Sequence, residues 1–197
     1  MESDSVDPLA VPILDFWFGA GGSAQLAAAR DVWFRKDPEF DREIRDRFAP
    51  MVTIALAGGY GAWCASAEGS LARVLLLDQF TRNIHRGTAV SFAGDARALA
   101  TAAQAVARGL DRKLDPYGRW FLYMPFEHAE ERDAQQRSLT LFGALAGETG
   151  LTEPFAWARR HADVVARFGR FPHRNAILGR ESTPAEVTFL AEHGSRF

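Results

Sequence analysis

The sequence predicts an all-α protein, an array or bundle of about eight antiparallel helices in a single domain over residues 1–197. Three observations carry this. Apolar residues recur at spacings of three and four along most of the chain. Proline follows a capping residue at Asp37-Pro38, Asp115-Pro116 and Thr183-Pro184, the pattern that opens a helix. No alternating polar and apolar stretch is long enough for a useful strand.

In chain order, residues 1–7 are acidic and polar and are expected to fray. Pro8 to Phe18 reads as a short aromatic helix closed by Gly19, Gly21 and Gly22, and Gln25 to Phe34 as a second short segment carrying Trp33 and Phe34. Asp37-Pro38-Glu39 opens a third helix. Its aspartate caps free N–H groups, its proline suits the first turn, and its glutamate favours the positive end of the helix dipole. Phe40, Ile44, Phe48, Met51 and Ala55 mark its apolar face, and Gly58-Gly59 its end. Leu71, Val74, Leu75 and Leu77 define a helix buried on several sides that frays near Asn83, with Gly87 ending the segment.

Thr88 to Ala107 is alanine-rich and amphipathic and stops at Gly109. The helix after Asp115-Pro116 carries Trp120, Phe121 and Met124, and Pro125 either kinks it or ends it before another begins. The next holds Gln135, Leu139, Phe142 and Leu145 and ends at Gly147. Pro154 opens a helix through Val165, and Thr183-Pro184-Ala185-Glu186 is a capping box before a last helix with Val187, Phe189 and Leu190.

Composition narrows the function. Apolar residues make up 47% of the chain, enough for a core, and the formal net charge of −2 argues against nonspecific nucleic-acid binding. The longest apolar run, Val74 to Leu77, is far short of the roughly 20 residues of a membrane span, and no secretory signal is readable. The one cysteine, Cys64, excludes an internal disulfide or a cysteine-based metal motif and suits a reducing cytoplasm. Between Trp63 and Ala65 it reads as a packing residue rather than a nucleophile.

Three segments could carry chemistry. In Leu75 to Asn83 an apolar helix turns polar. Asp78 and Arg82 lie four apart and can pair, with Asn83 as a left-handed cap, or Arg82 and Asn83 can donate to a ligand. In Tyr123 to Glu131, Glu127 and His128 follow Met-Pro-Phe directly. Glu127 and Glu130 share a face if helix resumes after Pro125, and a histidine beside carboxylates can act as a general base. An acidic helix start is the ordinary structural reading of the same residues. No metal-ligand spacing is matched, so neither a metal nor any cofactor is expected.

The third segment, Arg167 to Asn175, is the densest. It gathers Arg167, Arg170, His173, Arg174 and Asn175 around Gly169 and Pro172, with Phe168 and Phe171 as anchors. Arginine suits bidentate binding of carboxylate or phosphate, and a rigid bend can present it. The structural alternative is that these arginines pair with Glu127, Glu130 or Asp78 and lock helices together. His161 lies about one helix turn before Arg167 and can join this segment, although a lone helical histidine is more often ordinary. Ser138 and Ser182 read as a helix residue and a cap, and no serine-hydrolase elbow or nucleotide-binding glycine motif is present.

Taken together, Phe16 to Gly19, Trp33-Phe34, Phe40-Asp41, Leu75 to Phe80, Arg82-Asn83, Arg86 to Thr88, Tyr123 to Pro125, Glu127-His128 and Arg167 to Asn175 resemble a bacterial family of uncharacterised cytoplasmic proteins, domain of unknown function 924. The resemblance spans about Ile13 to Leu190. Thr81 stands where that family has proline, and His85 where it has an apolar aromatic. The resemblance implies a fold similar to tetratricopeptide-like helical hairpins and supplies no mechanism.

The resulting expectation is a helical protein with a polar pocket that binds or acts on a small anionic ligand. Arg82, Asn83, Arg170, Arg174 and Asn175 hold it, and Glu127, His128 and His173 move protons. The alternative is a tetratricopeptide-like module that binds a peptide or protein without catalysis. The Phe and Trp content leaves room for an apolar homodimer face.

Overall fold

The computed structural model describes residues 6–19 and 31–192. Every regular element among them is helical and none is a strand. The expected roles of Gly21 and Gly22, and the part of the second segment from Gln25 to Arg30, lie outside the described residues. The chain forms two compact units, one of residues Met1–Arg86 and Val90–Pro125, the other of Gly87–Ala89 and Phe126–Phe197.

The first unit opens with α1 (Val11–Phe18) and α2 (Asp31–Phe34). Helix α3 (Pro38–Leu56) starts where the sequence places it, with Asp37 accepting from the Glu39 and Phe40 N–H groups at 3.0 and 3.2 Å. Its buried face, Ile44, Phe48, Val52 and Ala55, packs on the centre of the unit. There α4 (Ala67–Leu75) runs into a π-helical turn, Leu76–Phe80, and then α5 (Thr81–Ile84). Within that turn the Thr81 hydroxyl donates to the Leu76 carbonyl at 2.8 Å, five residues back. A π turn inserts one extra residue into the helix. Every residue of this one is buried, so Asp78 and Gln79 are carried into the core along with Leu76, Leu77 and Phe80.

The aromatic residues close the core. Trp17 meets Phe121 edge-on at 5.4 Å, Trp33 meets Phe121 at 4.8 Å, and Phe48 meets Phe80 at 5.0 Å. The Trp33 indole N–H donates to the Trp17 carbonyl at 3.0 Å. Each such side chain contributes about 1.5–3 kcal/mol by burial.

The alanine-rich helix begins later than its composition suggests. A 3₁₀ turn occupies Ala89–Phe92, and α6 covers Asp95–Ala107. Gly94 stands at its N-cap, where a β-carbon would overlap the Leu77 carbonyl. Helix α7 (Pro116–His128) includes Pro125 and continues through it for three residues. Of the two outcomes open for Pro125, a kink or a helix end, the helix end is not found, and the helix does not reach Glu130. The helix stops at His128, and Glu130 lies in the following break.

In the second unit α8 (Arg132–Thr149) and α9 (Glu153–Phe168) pack along their lengths as a hairpin. Helix α8 passes through Gly147 and ends at Gly150, and α9 runs one turn beyond Val165. Gly169 then takes a left-handed φ of 74° that turns the chain back. After a 3₁₀ turn, Pro172–Arg174, the chain reaches α10 (Pro184–Leu190), whose capping box forms as expected, with Thr183 rather than Ser182 as the cap. Phe171, fully buried with Val164 and Val165, anchors the bend, and Phe168 and Phe189 pack on this cluster.

Candidate functional site

In the second unit the end of α7, the buried face of α9 and the bend after Gly169 meet. Glu127 is 3% exposed, and its Oε1 lies 2.8 Å from Nδ1 of His161, which is 6% exposed. The same nitrogen lies 2.9 Å from the Trp157 carbonyl. Both neighbours are acceptors, so Nδ1 carries a proton. This is a carboxylate-oriented imidazole, the arrangement that serves a general base.

The His128 ring stands 6.1 Å from the His161 ring, centroid to centroid. Phe171 lies 5.5 Å from His161 and 5.7 Å from His173, and the Arg174 guanidinium sits 4.7 Å over its face. Arg174, itself 6% exposed, donates through Nη2 to the His128 carbonyl at 2.9 Å. Burial, and then the nearby Arg174 charge and His161, push the His173 imidazole down to about 3. The His173 ring is therefore neutral near pH 7.

The bend itself is fixed by a second set of contacts. Glu130 accepts from the Phe171 N–H at 2.7 Å and takes a bidentate pair from Arg180 at 2.7 and 2.9 Å. Burial opposes its charge, but these donors outweigh burial and hold the carboxyl below its usual range. Asn175 donates to Ser182 and accepts from the Arg180 Nε, each at 3.0 Å. Arg170 forms a fork with Glu186 at 2.7 and 2.8 Å.

Arg82 and Asn83 belong to the first unit. Arg82 pairs with Asp78, four residues earlier, and forks onto Asp95, all at 2.8–3.1 Å. Gln79 donates to the other Asp78 oxygen. Asn83 lies inside α5 rather than in a left-handed cap, and it donates to Asp41 at 2.7 Å beside an Arg86–Asp41 pair. The same unit has a cleft of about 340 Å³ lined in part by Leu14, Phe18, Glu68, Leu71, Lys113 and Asp115.

The second unit thus brings together Glu127, His128, His173 and Arg174, with Asn175 shaping the bend and Arg170 closed on Glu186. Sequence reasoning named His161 beside Arg167 but weighted it as an ordinary helical histidine and left it out of the site. Its signal is an ionisable residue on the apolar stripe of α9, in register with buried Ala158, Val164 and Val165. Among the described residues, no group of three or more His, Cys, Asp or Glu side chains could hold a metal ion, and no helix is long and apolar enough to cross a membrane.

The model of a family described as bacterial protein of unknown function (DUF924) matches residues 13–194. A solved structure, a protein of unknown function, ATU0120, from Agrobacterium tumefaciens, is similar at 44% identity with a TM-score of 0.82, covering 93% of this chain and 97% of that one. No curated protein matches the chain.

Proposed function

The chain belongs to the bacterial DUF924 family, and we propose that its second unit binds a small anionic ligand, a carboxylate or phosphate, beside Arg174, with the Glu127–His161 pair positioned to move a proton on it. One observation supports this above the others: a buried guanidinium and the His161 and His173 imidazoles gather around the single ring of Phe171, with His128 beside His161. Burying the Arg174 guanidinium costs desolvation energy, and a bound anion offsets that cost. His173, neutral near pH 7, serves as a hydrogen-bonding wall, and His128 completes the rim. Arg82, Asn83 and Arg170, each closed on a carboxylate, are left out of the ligand shell, and Asn175 positions the bend.

The test is calorimetric titration of the intact protein with inorganic phosphate and with acetate. Arg174→Ala abolishes binding while circular dichroism and melting show a retained fold. Absence of binding to the unaltered protein, or loss of the fold in both Arg174→Ala and Glu127→Ala, makes these residues architectural.

A second reading rests on Trp157, Ile177, Leu178 and Val187, apolar residues of the second unit between 37% and 57% exposed. They suit a face for a peptide, a protein or a second copy of the chain, as in tetratricopeptide-like arrays. A stoichiometric partner on affinity purification supports that reading. A cytoplasmic setting, where Cys64 stays a buried thiol, fits both.

A further inference from the structure

Glu127 uses one carboxylate oxygen. His161 serves Oε1, whereas Oε2 is buried with no hydrogen-bond donor. Two more oxygens nearby in the fold share this condition. Gln135 caps the end of α7, its amide nitrogen 2.7 Å from both the Glu127 and Ala129 carbonyls, and its own Oε1 has no donor. Ser138 follows one turn later on α8, is fully buried, and has no partner for its hydroxyl. Buried polar groups are nearly always satisfied, and an unserved buried carboxylate oxygen is among the costliest exceptions. Glu127 Oε2 and Gln135 Oε1 are acceptors, so what these two lack is a donor, whereas the Ser138 hydroxyl can donate or accept. An ammonium group supplies three, all strong toward a carboxylate.

Arg174 approaches the same helix end, on the intervening His128 carbonyl. A carboxylate-binding cation and a donor-deficient carboxylate therefore flank consecutive residues of the α7 terminus. We propose that the ligand is a zwitterion of the α-amino acid class, its ammonium on Glu127 and its carboxylate toward Arg174. This rests on the anion-site reading above and adds a requirement for an amine.

The test titrates the intact protein with glycine, L-glutamate, acetate, glutarate, methylammonium and inorganic phosphate. Glycine and L-glutamate bind at least about tenfold more tightly than acetate and glutarate, the effect of losing one charged hydrogen bond. Glu127→Gln removes that preference for glycine over acetate. If acetate binds as well as glycine, the zwitterion is wrong and the anion site stands. If no probe binds, both readings fail. If Glu127→Gln changes thermal stability but not the glycine preference, a buried water serves Oε2 and the inference is overturned. The comparison of glycine with acetate on the unaltered protein holds whether or not the variant folds.

Discussion

The Tyr123 hydroxyl donates to Oδ2 of Asp111 at 2.6 Å, with both side chains buried in the first unit. Burial, reinforced by the Asp111 hydrogen bond, raises the phenol to about 12 from its ordinary 10. A raised folded value means the contribution is complete below pH 10 and is lost as pH rises toward 12. Tyr123→Phe strands a buried carboxylate oxygen and costs about 1–3 kcal/mol. Denaturant melts should show that gap at pH 8 and show it narrowing between pH 10 and 12.

Gly94 touches the Leu77 carbonyl so closely that no β-carbon fits, and the opposing atom is backbone. Gly94→Ala must displace α6 from the π turn and is expected to destabilise by about 1–3 kcal/mol. Gly147 is the contrast. It lies inside α8 with open space around its missing β-carbon. Gly147→Ala should stabilise by about 0.5–1 kcal/mol through helix propensity. Paired thermal melts read both, and a neutral Gly94→Ala means the π turn yields.

Glu186 joins the α10 capping box to Arg170. The Arg170 hydrogen bonds, against a smaller opposing effect of burial, hold its carboxyl down at about 2. A lowered folded value gives a contribution that is complete above pH 4.5 and lost as pH falls toward 2. Wild type should therefore exceed Glu186→Gln in melting temperature at pH 6, with the difference closing as the solution is acidified. A difference independent of pH assigns the loss to packing.

Helix starts were the legible part of the fold, because Asp37, Asp115 and Thr183 act on their own next few residues. The close approach of Gly94 to Leu77 was not legible, because no local pattern encodes it. The same division runs through the site. Glu127, His128 and the bend from Gly169 announced themselves by proline, glycine and clustered charge. His161 did not, since its meaning comes from a carboxylate 34 residues away and its own helix reads as ordinary amphipathic sequence. The arginines were the hardest to sort. Arg82, Arg170 and Arg174 look alike in sequence, and only the fold assigns the first two to Asp95 and Glu186 and the third to the His128 carbonyl.

His173 offers a test of the site that needs no ligand. Its neighbours are Arg174, His161, His128 and Glu130, and burial with the first three outweighs the carboxylate in keeping the ring neutral to about pH 3. In the unfolded chain the same ring protonates near 6.5. Between those values the unfolded state binds the extra proton, so stability falls as pH drops from 6.5 toward 3, by at most about 1.4 kcal/mol per pH unit from this group. Above 6.5 the contribution is flat. His173→Gln removes the titration, so the variant should gain on wild type steadily from pH 6 to pH 4, whatever its difference at pH 7. Proton NMR of the imidazole should show one ring without a titration shift across that range. A parallel pair of stability curves, or a His173 ring titrating near 6.5, means that ring is open to water and the packing around Phe171 is looser than its geometry implies.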